Sequence, residues 1–202
     1  AEAVLRCWGS NDYGQTSIPS LTNPTWIGTG DAHSCAIAQE GLKCWGSNSD
    51  GQTDIPSLTA AQQVEGGAFH SCALVEDGIT CWGDNSDGQS DVPELNNPTQ
   101  ISAGAFHSCA VEDSGITCWG FNGDSQTDTP ILDTPSQVSA GGFHTCGLDR
   151  AGVSCWGYNG DGQTDVPALS NPTEIRAGDS FSCAIDDSGV VCWGNNEFKQ
   201  LM

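Results

Sequence analysis

The run His70-Ser71-Cys72-Ala73-Leu74-Val75-Glu76-Asp77-Gly78-Ile79-Thr80-Cys81-Trp82-Gly83 decides the fold. Two β-prone segments, His70 to Val75 and Gly78 to Trp82, flank an acidic pair and a glycine, the composition of a tight hairpin turn in which glycine takes the left-handed conformation. Counterparts of that turn stand at Gln39-Glu40-Gly41, Asp113-Ser114-Gly115 and Asp187-Ser188-Gly189. Cys72 and Cys81 therefore fall on paired strands. They share a face if the connecting loop has two or four residues, and lie on opposite faces if it has three.

Outward from this hairpin the chain repeats. Cys-Trp-Gly recurs at Cys7, Cys44, Cys81, Cys118, Cys155 and Cys192, a constant step of 37 residues, and a (His/Phe)-(Ser/Thr)-Cys mark precedes the last five at Cys35, Cys72, Cys109, Cys146 and Cys183. Strict periodicity means copies of one supersecondary unit. The expected organisation is one repeat domain over residues 1–202, with a leading half-unit, 1–26, and five complete units, 27–63, 64–100, 101–137, 138–174 and 175–202. Each unit reads as three short strands; in the second these are Val64-Glu65-Gly66-Gly67 and the two arms of the hairpin. The Asn-rich segment after each Trp-Gly, running in four units to Pro56, Pro93, Pro130 or Pro167, reads as a loop crossing to the next unit.

Such units cannot bury both faces alone and must stack, radially as propeller blades or linearly as a solenoid. The pairs Ala103-Gly104 and Ala140-Gly141 suit backbones crowded around a central channel, and Trp45, Trp82, Trp119, Trp156 and Trp193 suit the space between sheets. The expected fold is all-β: a β-propeller of three-stranded, roughly 37-residue blades, five complete plus a leading half-blade. Packing is the first role of these tryptophans, and sugar stacking the alternative.

Composition narrows the function. With 26 acidic against 5 basic residues the net charge is −21, which repels phosphate-rich partners and argues against nucleic acid. No run reaches the length of a membrane-spanning helix and no basic, apolar leader opens the sequence, so membrane insertion is not expected. The 26 glycines and 9 prolines fit many turns and short elements.

Eleven cysteines call for disulfides, metal or redox chemistry. Recurrence of the nine-residue spacing predicts Cys35–Cys44, Cys72–Cys81, Cys109–Cys118, Cys146–Cys155 and Cys183–Cys192, one bond per blade. A zinc site brings four ligands together, which separate blades do not, and no Cys-x-x-Cys motif occurs. Disulfides on this scale imply a secreted or cell-surface setting.

The pattern Ala-Gly-x-x-His-Ser-Cys-Ala, then Gly-x-x-Cys-Trp-Gly-x-Asn, then Gly-Gln, resembles repeats of the regulator of chromosome condensation superfamily over essentially the whole chain. Its short period and the Gly-Gln-Thr-Asp-Ile-Pro ending look most like the secreted, propeller-type beta-lactamase inhibitory proteins. That resemblance implies a ring of seven three-stranded blades closed by a lone leading Trp-Gly strand. The sequence departs from this plan where the fifth unit carries its own Cys-Trp-Gly at Cys192 and the chain stops at Gln200-Leu201-Met202, so a ring closed within this chain is not expected. Cys7 has no partner in the scheme, which leaves an intermolecular bond and head-to-tail assembly as one alternative. The exchange-factor activity of the wider superfamily is not expected of an oxidised, secreted chain.

The resemblance further implies a protein-binding face built from aromatic residues just before the repeated histidine: Phe69, Phe106 and Phe143, joined by Phe121 and Tyr158 after Trp-Gly, with Ala32 and Ser180 at the end units. Core capping is the competing role. The histidines His33, His70, His107 and His144 fall beside this face, as structural residues or as a metal- or pH-sensing ring; the fifth unit has Phe181 instead. The loops holding Asp50 and Asp54, Asp87 and Asp91, Asp124 and Asp128, and Asp161 and Asp165 put oxygen ligands at near-alternate positions, as calcium loops do, but Asn, Asp and Gly are also ordinary turn residues. No other cofactor is expected. Trp26, Arg150, Arg176, Phe181 and Lys199 break the repeat without forming a recognisable catalytic set. The expectation is a non-enzymatic binding module for a protein or glycan; the alternative is a self-assembling extracellular subunit.

Overall fold

The computed structural model describes residues 4–197 and 199–201. Fifteen strands form five antiparallel sheets of three, each in simple sequential order. Blade 1 holds β1 (Trp26–Thr29), β2 (His33–Ala38) and β3 (Gly41–Gly46); blade 2 holds β4 (Ala61–Gly66), β5 (His70–Val75) and β6 (Gly78–Gly83). Blade 3 holds β7 (Gln100–Ala103), β8 (His107–Glu112) and β9 (Gly115–Gly120), and blade 4 holds β10 (Gln137–Ala140), β11 (His144–Asp149) and β12 (Gly152–Gly157). Blade 5 holds β13 (Glu174–Ala177), β14 (Phe181–Asp186) and β15 (Gly189–Gly194).

The hairpin turn has two residues in each blade, so Cys72 pairs directly with Cys81 and its counterparts do likewise. All five disulfides form, each with its Cα atoms 4.0 Å apart. Gly78 sits at φ +129°, a conformation that a side chain would strain.

Short inner strands have a local cause. In four units the strand is preceded by a residue in the left-handed region and then a proline, as at Asn97-Pro98 and Asn171-Pro172, which turns the chain and removes a ladder donor. The second unit has Ala60-Ala61 there, and β4 extends back to Ala61 with a bulge between Ala61 and Gln63. The strand expected from Val64 to Gly67 is therefore longer at its start and one residue shorter at its end.

The core lies between blades. Cys72 and Leu74 of blade 2 meet Ile101, Ala110 and Trp119 of blade 3, and the same set recurs at the other junctions. Full burial of a side chain such as Ile101 contributes about 1.5 to 3 kcal/mol. The two end faces differ: Ile27, equivalent to buried Val64 and Ile101, is 39% exposed, and Val190, equivalent to buried Ile116, is 71% exposed.

The leading segment departs from expectation. Cys7-Trp8-Gly9 forms no strand, and among the described residues no ladder partner lies beside it; Trp8 is exposed and the Cys7 thiol is free. The segment nonetheless docks on blade 1, because the Gln15 carbonyl accepts from Ser34 Oγ (3.0 Å) and Trp45 Nε1 (2.9 Å). Met202, at the other terminus, lies outside the described residues.

Candidate functional site

The four histidines are latches between blades. His33, His70, His107 and His144 are at most 1% exposed, and their Nε2 atoms lie 2.8–2.9 Å from hydroxyls of the next blade: Ser71, Ser108, Thr145 and Ser182. Each hydroxyl spends its single hydrogen on a glutamine carbonyl, Ser71 on Gln52 and Ser108 on Gln89 among them, so the histidine Nε2 must be the donor. That fixes the neutral tautomer with a bare Nδ1, the atom found buried without a partner in all four. Burial holds their pKa at about 4, about 4, about 3 and about 4 in chain order, His107 lowest because its histidine neighbours add to the burial effect. The expected place of these histidines on an exposed face is corrected: they are buried at the blade junctions, with no surface for a ligand.

The same glutamine carbonyls accept Trp82, Trp119, Trp156 and Trp193 Nε1, each at 2.9 Å. The Gly-Gln motif is thus a buried peg from one unit into the next. Gln52, Gln89, Gln126 and Gln163 are at most 1% exposed, a role that their polar, loop-like surroundings conceal in the sequence.

Above the latches the aromatic residues form a ladder across three blades. Ring centroids are 6.0 Å apart for Phe69 and Phe106, 5.6 Å for Phe106 and Phe143, and 6.1 Å for the edge-on pair Phe121 and Phe143. Backbone bonds hold the components together: Phe121 N donates to Phe106 O and Tyr158 N to Phe143 O. Phe69 and Tyr158 are exposed, while Phe106, Phe121 and Phe143 are half-buried. Ala32 and Ser180 end the ladder at blades 1 and 5.

The inner strands β1, β4, β7, β10 and β13 line a central channel. Its narrow end, about 240 Å³, is walled by Gly and Ala with Asp31 and Asp179. Burial, and secondarily the charge of Asp179, raises the Asp31 pKa. At Gly104 an added Cβ would lie 2.4 Å from Gly141 O and from His107 Cε1, so the ring of glycines is required by close approach. The wide end is a chamber of about 1090 Å³ lined by Trp26, Glu65, Glu174 and Arg176 together with the inner-strand glutamines and serines. Glu65 accepts from Trp26 Nε1 (3.3 Å) and Gln63 Nε2 (3.0 Å) on one oxygen. Burial raises its pKa, against the hydrogen bonds of Gln63 and Trp26 and the charge of Arg176. Arg176 pairs with Glu174 at 2.9 Å. Of the repeat-breaking residues, the structure thus brings Trp26 and Arg176 into one chamber; Arg150 and Phe181 are elsewhere.

The loops considered for calcium close on themselves. Asp54, Asp91, Asp128 and Asp165 accept from the amides of Asn48, Asn85, Asn122 and Asn159 at 2.8–2.9 Å, while Asp50, Asp87, Asp124 and Asp161 anchor their backbone N–H on the buried glutamine side chains. Among the described residues no three or more His, Cys, Asp or Glu side chains converge as a metal site requires.

Residues 27–52, 61–89, 99–126, 136–163 and 173–200 each match the regulator of chromosome condensation (RCC1) repeat, and the chain belongs to that family. No curated protein matches it in sequence. Among solved structures it is similar to the entire ectodomain of the receptor kinase CR4 from Physcomitrella patens, at 27% identity and a TM-score of 0.79, over 94% of this chain and 56% of that one. It is also similar to the CRINKLY WD40 ectodomain of the Arabidopsis thaliana receptor kinase ACR4, at 24% identity and TM-score 0.76 over 94% and 75% of the two chains. Prp20p of Saccharomyces cerevisiae matches at 16% identity and TM-score 0.75 over 89% and 59%. The latter two likenesses concern the fold alone. The protein is thus an RCC1-type propeller similar to receptor ectodomains, and its five disulfides are the chemistry of an oxidising, extracellular setting.

Proposed function

We propose that the protein is a non-enzymatic extracellular recognition module that binds a protein partner through the aromatic ladder. The observation carrying this reading is the row Phe69, Phe106 and Phe143, partly exposed on adjacent blades and held by disulfide-braced hairpins. Rigid aromatic side chains on a fixed scaffold make strong contact anchors because little side-chain entropy is lost on binding. The resemblance to the secreted beta-lactamase inhibitory propellers, with aromatic residues at matching positions, supports it, as does the likeness to a receptor ectodomain. No particular ligand follows from a shared scaffold.

The test is retention of proteins from extracellular fluid on the immobilised protein and on its Phe69→Ala/Phe106→Ala/Phe143→Ala variant, quantified by mass spectrometry. Partners retained by the parent and lost by the folded variant are the expected result. Identical retention profiles would remove the reading.

A second reading, head-to-tail association between copies, is favoured by the apolar end faces at Ile27 and Val190 and by the free Cys7 thiol. Intact mass under non-reducing conditions tests it. A Cys7-linked multimer supports association, and a monomer at high concentration with a free thiol refutes it.

A further inference from the structure

We propose that the wide end of the central channel, at Trp26, Glu65 and Arg176, is a binding site for a neutral saccharide, separate from the aromatic face. The first argument comes from where the repeat is broken. Trp26 occupies the place held by Gln63, Gln100 and Gln137 in the next three blades. There the side chain clamps the following blade: Gln63 donates to Ile101 O (2.7 Å) and accepts from Ile101 N (3.1 Å), Gln100 does the same at Val138 (3.1 and 2.9 Å), and Gln137 accepts from Ile175 N (2.8 Å). Trp26 gives up that clamp and leaves a large indole 40% exposed in the channel.

Glu65 and Arg176 depart at a second repeated place. Their counterparts Ser102 and Ser139 accept from Ala140 N and Ala177 N of the next blade, at 3.0 and 2.8 Å. The half-buried Glu65 carboxylate carries a desolvation cost that its bonds from Trp26 and Gln63, both on one oxygen, offset only in part. The blade-to-blade bond of the counterparts is thus absent at Trp26 and at Glu65, and both side chains line one chamber with Arg176, the pattern of residues kept for something other than the scaffold.

The second argument is chemical. A sugar ring presents an apolar C–H face and a rim of hydroxyls that both donate and accept, so it needs an aromatic surface beside groups of both kinds. Trp26 supplies the surface. Glu65 holds its two protein donors on one oxygen and keeps the other as an acceptor. Arg176 spends one N–H on Glu174 and one on Ile175 O, leaving further donors of its five. The local charges, Glu65 and Glu174 negative against Arg176 positive, disfavour an anion, while Arg176 opposes a cation; a neutral polyol meets neither. A chamber of about 1090 Å³ has room for more than one ring.

The experiment is ligand-observed saturation-transfer NMR with maltotriose, cellotriose and chitotriose as probes, on the whole chain. Transfer to at least one trisaccharide is expected, with affinity reduced about tenfold or more in Trp26→Ala and in Glu65→Gln, each checked for an unchanged melting temperature. Glu65→Gln keeps the side chain's shape, so it decides the matter should Trp26→Ala unfold. The Phe69→Ala/Phe106→Ala/Phe143→Ala variant should bind the sugar as the parent does, which separates this site from the aromatic face. Absence of transfer to all three probes, or full transfer retained in both folded channel variants, would overturn the proposal.

Discussion

His107 Nε2 lies 2.9 Å from Thr145 Oγ1 in the following blade, and the Thr145 hydroxyl points on to Gln126 O at 2.9 Å. The histidine is thereby the donor in a buried relay that crosses a blade junction, and three other junctions repeat it.

This relay sets an acid limit on stability. The unfolded chain protonates its histidines below about pH 6.5, the folded chain only near pH 3 to 4, so unfolding takes up protons between those values. Stability is full above pH 6.5 and falls as pH drops through the window. Asp31 and Glu65, raised by burial, act in the opposite sense. The melting temperature is expected to be lower at pH 5.0 than at pH 7.5. His107→Phe, copying the Phe181 of blade 5, should show a shallower pH dependence; a flat profile in the parent would contradict the burial of neutral imidazoles at the junctions.

Cys109→Ala/Cys118→Ala removes one nine-residue staple from a central blade. Urea unfolding should register a loss of about 2 to 3 kcal/mol from the released loop entropy. The parent treated with reductant should lose much more, since five such loops open.

Gln63→Ala strips partners from both the N–H and C=O of fully buried Ile101. The expected cost is about 1 to 3 kcal/mol, larger than for an exposed glutamine such as Gln62, because a buried backbone group is left unpaired. Urea midpoints of Gln63→Ala and Gln62→Ala compare the two directly.

Gly104→Ala places a methyl group 2.4 Å from the Gly141 carbonyl, where neither backbone has room to withdraw without moving a blade. Severe destabilisation is expected. Gly115→Ala, with nothing within 4 Å of its Cβ but φ at +132°, should cost about 1 to 3 kcal/mol of backbone strain, and thermal melts of the pair would separate crowding from strain.

The scaffold was readable because the Cys-Trp-Gly period and the nine-residue cysteine spacing recur in every unit, while the turn length, open in the sequence, is two residues in the structure and explains the pairing by register. What escaped reading depends on contacts 19 to 38 residues apart. Nothing near His70 announces that its ring will reach Ser108, and the Gly-Gln loop looks like surface until Gln89 is seen sealed beneath Ser108 and Trp119. Trp26 and Arg176 stand out as exceptions in the sequence, but they lie at opposite ends of the repeat. Only the curvature of the blade stack makes them walls of one chamber. Phe69, Phe106 and Phe143 share a repeat position, so their alignment in a row was legible, though not the spacing of the rings.

The docking of Gln15 on Ser34 and Trp45 has the same polarity as every later junction: the carbonyl comes from the earlier unit, the donors from the later one. The bonds to the glutamine carbonyl therefore look back to chain already made, whereas the histidine latch and the Gln63 clamp look forward to the next blade. Each unit inherits one half of a junction from its predecessor and offers the other half to its successor, so the array propagates by nearest-neighbour contacts alone.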